Sequence, residues 1–326
     1  MKPLILTSLH GLELRDSGLA DLVIPFAFRF VWGPLPSPDE LDAHLGPRLP
    51  EHGPVDHWSG YVSRWPRDQK DRRDLSLVEF CRPYETVELW FDPDPADQLQ
   101  LIWLLDGLRS DPETAAKLKL RPVSYDMLTA TGEQFAKWQA PHFTIDEEDF
   151  DTASATWQAY RASTPETFFA LLRRDLSRLP MLRRTVVDLV DELPFAATGL
   201  GATEMRLLEL VAGGYAGTNW PLYLPSLRQR RVFNDTELRF LFEGLAHGPR
   251  PALAGLDDEI RTLRREDWNG RDAAYKRSRL SITEFGKAVL AHKEDFSHYN
   301  PIHRWWGGTQ LTNDCLWRWD PVLIAP

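Results

Sequence analysis

Cysteine is nearly missing: Cys81 and Cys315 are the only two in 326 residues. So few thiols exclude a disulfide framework and a cysteine-built metal site, and they suit a reducing cytosol. Long apolar runs are missing too. No segment reaches the length that spans a bilayer, and the opening Met1-Lys-Pro-Leu-Ile-Leu-Thr-Ser is too short for a signal peptide. The expectation is a cytoplasmic protein with no membrane partner. Positive charge is in deficit, with 38 Lys and Arg against 48 Asp and Glu and a formal net charge of −10. That balance argues against broad electrostatic capture of nucleic acid or anionic membrane, and leaves room for a local basic patch. Glycine-rich phosphate loops of either common pattern are absent. The elbow pattern that would make Ser8, His10 and Asp16 a nucleophilic triad is absent as well.

What is present is ordinary globular material, 43% apolar and 26% charged, with 13 tryptophans that read mainly as packing residues. The clearest signal is a strand-to-helix junction. Val87, Leu89 and Phe91 alternate with Thr86, Glu88 and Trp90, which predicts a strand. Asp94 then offers an N-cap, Pro95 a first helical position, and Asp97 an acid three residues past the cap. Leu99, Ile102, Leu105 and Leu108 make a helical stripe, widened by Leu101, Trp103 and Leu104 until little of the helix is solvated. A strand feeding a buried helix predicts the centre of an α/β layer.

Leu4–Leu9 reads as a first buried strand followed by a turn at His10-Gly11, with a short helix over residues 12–19. A second strand is expected over Phe26–Trp32, with Pro25 either preceding it or marking an edge. Leu75–Phe80 leads into the junction strand, and Leu118–Ser124 supplies a further one. Residues 153–161, 165–179 and 181–193 read as helices. Later helices fall at 203–212, 219–228 and 235–247, then a strand at 279–283 and a helix from Glu284 to His292 capped by Thr283. Helices, a strand and a helix in that order point to a winged-helix-like module. Gly307-Gly308 permits a tight turn, and Leu316–Trp319 a terminal strand. The expected architecture is an α/β N-terminal domain with a mostly parallel sheet (1–125), a helical middle packed on it (126–195), and a C-terminal winged-helix-like domain with a Trp-rich end (196–326).

Several separated stretches together resemble a bacterial family known as domain of unknown function 1835 with its usual C-terminal region. They are Leu89-Trp90-Phe91 with the acidic turn and Gln98-Leu-Gln-Leu101, Leu193-Pro194 before Gly199-Leu200, Thr203-Glu204, Arg304-Trp305 with Gly307-Gly308, and Trp317-Arg-Trp-Asp320. The resemblance covers nearly the full length and implies the same fold; the family carries no established chemistry. Thr7-Ser-Leu-His10 stands where its members usually have Gly-Asp-Ser, and Trp32-Gly-Pro-Leu-Pro36 lacks the acid that tends to follow that tryptophan. Any activity resting on those acids does not carry over.

Asp92, Asp94 and Asp97 are the sharpest candidates. They follow a strand end, where α/β proteins place ligands, and carboxylates there suit a hard divalent cation such as magnesium. The competing assignment for Asp94 and Asp97 is a cap and a first-turn acid that answer the helix dipole. His10 is a candidate general base that would act with Asp92 and Asp94, against a solvated turn histidine. Arg304 and Arg318 are candidate anion binders, against pairing with a structural carboxylate. Arg228, Arg230 and Arg231, with Arg261, Arg264 and Arg265, are the candidate nucleic-acid contacts. The leading expectation is a regulatory protein binding a nucleotide or nucleic acid. The alternatives are an enzyme acting on a phosphorylated or nucleotide-like substrate, and a protein-interaction module.

Overall fold

In the computed structural model, which describes residues 2–53, 55–62, 64–123, 127–138, 141–219 and 232–326, contacts divide the chain into two units. The first comprises Met1–Phe30, Pro34–Arg161 and Ala170–Thr185, and the second Val31–Gly33, Ala162–Phe169 and Val186–Pro326. Residues 126–195, expected to form a helical middle, are shared between them.

The first unit is laid around β1 (Leu4–Ser8), every residue of which is buried. On one side β1 pairs in parallel with β2 (Leu22–Phe26), and on the other with β3 (Val87–Trp90), which pairs in turn with parallel β4 (Leu118–Leu120). A two-residue antiparallel strand, β5 (Phe143–Thr144), closes the order β2-β1-β3-β4-β5. Parallel strands covered on both faces read as continuous apolar runs, which explains why Leu4-Ile-Leu shows no polar alternation. The second strand departs from expectation. It lies at Leu22–Phe26 and takes in Pro25, which a proline lacking an N–H can do because β2 is an edge. Phe28 and Phe30, expected to continue it, instead stack on each other at 5.2 Å and meet Trp103 edge-on at 4.9 and 5.6 Å. Aromatic packing here outweighs two more rungs of ladder.

Helix α1 (Pro38–Leu45) opens on a capping box in which Ser37 and Glu40 satisfy each other's backbone amides. Residues 75–80 do not lead into β3 in extended form. Ser76 and Glu79 form a second capping box and start the short helix α2 (Leu77–Cys81). Helix α3 (Pro95–Leu108) is capped by the Asp94 carboxylate, which accepts the Asp97 amide at 3.0 Å, with Pro95 in its first turn. Only Asp106 and Gly107 of α3 escape burial. Short helices α4 (Pro112–Ala115) and α5 (Gly132–Lys137) follow. Helix α6 (Glu147–Arg161), which covers α3, starts six residues before the expected Ala153 because Asp146 accepts the amides of Glu148 and Asp149. The helix expected over 165–179 reduces to α7 (Glu166–Ala170) and one 3-10 turn, Leu171–Arg173.

After α8 (Leu182–Val190), the second unit carries α9 (Ala202–Ala212), α10 (Asp235–His247), α11 (Trp268–Arg277) and α12 (Glu284–Leu290). Its strands form small antiparallel pairs: β6 (Leu253–Ala254) with β7 (Ser281–Ile282), β8 (His303–Trp306) with β9 (Thr309–Thr312), and β10 (Arg318–Trp319) with β11 (Leu323–Ile324). The hairpin of β8 and β9 turns through Gly307 at φ +54°, a conformation that glycine adopts without strain. The Trp306 indole donates to the Leu189 carbonyl at 2.7 Å and meets Phe168 edge-on, which anchors that hairpin. Helix α11 has no apolar stripe in the sequence. Its buried face includes Arg271, whose guanidinium reaches the carbonyls of Ile260 and Leu263 and the side chains of Glu243 and Tyr275. No helix among the described residues is long and apolar enough to cross a membrane.

Candidate metal centre

Strand order places the site. From β1 the chain goes to β2 on one side, and β3 then joins on the other, so the order reverses between β1 and β3. In open α/β sheets the crevice beyond the strand ends at such a reversal is the favoured ligand position. The register Leu6↔Leu89 and Thr7↔Trp90 brings the end of β1 and the turn after it, Ser8-Leu9-His10, beside the segment after β3, Phe91–Asp97. The Thr7 hydroxyl ties the two strand ends by donating to the Trp90 carbonyl at 2.6 Å.

After β1 the chain turns at once into a 3-10 helix, Leu9–Asp16, capped by the Ser8 hydroxyl, which accepts the His10 amide at 3.1 Å. Gly11 is needed at that turn, because a β-carbon there would lie 2.0 Å from Thr7 Oγ1 and 2.8 Å from Met127 Cε. The turn packs tightly on β1 and points the imidazole of His10 back across the strand ends. His10 Nδ1 then lies 3.2 Å from Asp92 Oδ2, 3.3 Å from Asp94 Oδ2 and 3.5 Å from Asp97 Oδ1.

Each carboxylate commits one oxygen to holding itself in place and turns the other towards His10. Asp92 Oδ1 accepts the Met127 amide at 2.9 Å, and Asp94 Oδ1 accepts the Asp97 amide at 3.0 Å. Asp97 Oδ2 accepts both the Ser8 hydroxyl and the Asp92 amide. The remaining oxygens, Asp92 Oδ2, Asp94 Oδ2 and Asp97 Oδ1, are the three that face Nδ1. Donor atoms from the four residues all fall within 4.8 Å of one another. His10 Nδ1 is shielded from solvent, and for all its nearness to three oxygens it is not aligned in a hydrogen bond with any of them. A ring nitrogen and three oriented carboxylate oxygens around one point form a donor set that suits a cation.

The charges are held under tension. Burial pulls the His10 imidazole down, but the carboxylates of Asp97, Asp92 and Asp94 outweigh it and raise it to about 12. Burial pushes the Asp92 carboxyl up to about 7, against the opposing pull of His10. Asp97 is raised by burial and by the charge on Asp94. Burial works against Asp94 as well, but His10 and the Asp97 amide hold it below the usual carboxylate range. With every group ionised, one imidazolium faces three carboxylates, a deficit of two positive charges that the N-terminus of α3 offsets only in part. His10 and Asp94 retain 18% and 19% side-chain exposure, against 5% for Asp92 and 1% for Asp97, so the first two form the outer side of the cluster.

The structure thus brings together His10, Asp92, Asp94 and Asp97 and adds Ser8 and the Met127 amide as the groups that orient them. Asp16 lies 3.6 Å from Arg64, and the acids that face His10 are Asp92, Asp94 and Asp97. In the second unit, Arg304 pairs with Glu204 at 2.7 Å. Arg318 pairs with Asp295 at 2.8 Å and donates to Ser297 Oγ at 2.7 Å and to the Phe195 and Ala196 carbonyls. Arg318 is engaged through both Nη atoms, whereas Arg304 uses Nη1 for Glu204 and its buried Nη2 has no hydrogen-bond partner among the described residues. Arg228, Arg230 and Arg231 lie outside the described residues, as does most of the helix expected over 219–228. Arg261 is 3.4 Å from Asp258, and Arg265 sits over the Phe240 ring at 4.9 Å. No protein-family model matches the chain, and no curated protein matches it in sequence.

Proposed function

We propose that the first unit is an enzyme domain that uses a divalent cation to act on a phosphorylated or nucleotide-like substrate. The observation that supports this is the convergence of three pre-oriented carboxylate oxygens and His10 Nδ1 at the sheet's reversal point. Asp92, Asp94 and Asp97 are the ligands in this reading, magnesium being the ion named by carboxylate chemistry, and His10 completes the set when the cation displaces the proton that the carboxylates hold on its ring. A cation held there would polarise a phosphoryl oxygen and lower the pKa of a bound water. Ser8 and the Met127 amide keep Asp97 and Asp92 aimed, so the donors need little reorganisation when charge develops.

This reading stands ahead of a regulatory protein that only binds a nucleotide or nucleic acid, because four convergent donors exceed what a helix cap requires. It rests on the site and not on the family resemblance, which belongs to the proposal only as a statement of kinship. For the second unit we keep the winged-helix-like reading, supported by α9, α10 and α11 followed by β7 and the Thr283-capped α12.

The test is thermal unfolding and calorimetric titration of the full chain with magnesium and manganese, in wild type and Asp97→Asn. Phosphate release from a panel of nucleotides and sugar phosphates is followed alongside. Cation-dependent stabilisation and turnover in the wild type, both lost in the variant, is the expected result. A wild type that neither binds any divalent cation nor releases phosphate from any substrate of the panel would overturn the proposal.

A further inference from the structure

Resting on the cation reading above, we infer that His10 makes this site selective for a first-row transition dication of the manganese type over magnesium. The argument concerns donor identity, spacing and hydration. Magnesium asks for near-octahedral oxygen ligation, parts with water reluctantly, and is usually held by one or two carboxylates with several waters retained. This site offers three carboxylates and a nitrogen, all fixed in advance and mostly withdrawn from solvent. A magnesium ion taking all four would have to exchange four waters, one of them for an imidazole, which is a poorer ligand for it than oxygen. Imidazole suits zinc, iron, nickel and copper, carboxylates suit manganese, and a mixed nitrogen and oxygen set falls within the first-row series.

The spacing agrees. Nδ1 stands 3.2, 3.3 and 3.5 Å from the three facing oxygens. Ligands about 2.1 Å from a shared ion lie roughly 3.0 Å apart at octahedral right angles and roughly 3.4 Å apart in a tetrahedron. The three separations from Nδ1 match those of neighbouring ligands around a small ion. Calcium, with bonds of about 2.3–2.6 Å and six to eight oxygen ligands, would require the cluster to spread and to gain donors. His10 is the one member of the set whose chemistry separates these ions, because the three aspartates alone would serve magnesium or manganese alike. It is therefore the specificity-determining ligand, held in place by the turn that Ser8 caps and Gly11 permits.

The experiment is calorimetric titration of the metal-free full chain with manganese, magnesium and calcium chlorides, in wild type, His10→Gln and Asp94→Asn. Pulsed electron paramagnetic resonance of the manganese-loaded wild type accompanies it. Wild type should bind manganese at least tenfold more tightly than magnesium, with resonance coupling to a single imidazole nitrogen. His10→Gln should lose most of that ratio by weakening manganese, whereas Asp94→Asn should weaken both ions and leave the ratio standing. Equal or tighter binding of magnesium by the wild type, absence of nitrogen coupling, or a ratio retained in His10→Gln overturns the inference and leaves the cation-dependent enzyme in place. Failure of every cation to bind overturns both. The wild-type ratio and the nitrogen coupling decide the matter even where a variant folds poorly.

Discussion

Asp92→Asn tests whether the cluster is strained in the absence of a cation. The side chain is 5% exposed, and burial raises its carboxyl from 3.8 to about 7. An acid raised in the folded state contributes stability that is complete below its unfolded pKa and is lost as pH climbs through the folded one. For Asp92 that window runs from about pH 4 to about pH 7, and metal-free protein should weaken across it. A rise of about three pH units, at 1.36 kcal/mol each, sets a ceiling of roughly 4 kcal/mol. Asparagine keeps the carbonyl oxygen that accepts the Met127 amide at 2.9 Å and removes the charge. In urea denaturation with a chelator present, the variant should therefore be more stable than wild type at pH 8, by about 1–3 kcal/mol once loss of the His10 contact is allowed for. At pH 4 the advantage should shrink below about 1 kcal/mol, because wild type is by then largely protonated at this position. Manganese at a concentration that saturates the wild type should reverse the order at pH 8, since the wild type gains more binding free energy than a variant short of one ligand. A variant no more stable than wild type at pH 8, or a difference that does not change with pH, refutes the reasoning.

Two further outcomes follow from other parts of the molecule. His44 sits among Phe26, Phe28, Tyr61 and Trp103, and burial, helped by the charge of His57, lowers it to about 4. Its neutral ring contributes stability above the unfolded value near 6.5 that is lost as pH falls towards 4, so His44→Phe should gain up to about 3 kcal/mol on wild type between pH 7 and pH 4 in paired urea titrations. Arg304→Ala strips Glu204 of its ion-pair partner, leaving it the Gly201 amide, and should cost roughly 1.5–3 kcal/mol in the same assay. Added phosphate should not change that cost, and stabilisation by phosphate seen only in the wild type would restore Arg304 as an anion site.

Much of the fold was legible because it follows local rules. The alternation of Val87–Phe91, the cap at Asp94, Pro95 and the broad stripe of α3 each depend on residues within a few positions of one another, and each is found where the spacing put it. Helix α10 runs from Asp235 to His247 as expected, and Thr283 caps α12. Misreadings came where distant contacts override local preference. Phe28 and Phe30 have strand propensity but gain more from Trp103, and α11 is held by a buried arginine that no apolar periodicity announces. Asp92, Asp94 and Asp97 could be picked out from their place after a strand. His10 could be named only as an isolated histidine beside a glycine, and Met127 carried no signal, since it contributes a backbone amide.

The sequence by itself determined the strand-to-helix junction, its cap, and a chain with too few cysteines for a thiolate site. Those properties follow from neighbouring residues and from composition. Tertiary structure alone decided that the acids after β3 meet the histidine after β1. The Ser8 hydroxyl and the Asp97 carboxylate that it holds are 89 residues apart, and they meet because β1 takes β3 as well as β2 for a partner. No local pattern encodes the order of strands in a sheet, since every buried parallel strand presents the same apolar face and the same backbone donors. The structure also fixed which oxygen of each carboxylate is committed and which is offered, a choice made by the amides of Asp92, Asp97 and Met127 and the hydroxyl of Ser8. That choice turns three acids near a helix start into a set of donors around a single point.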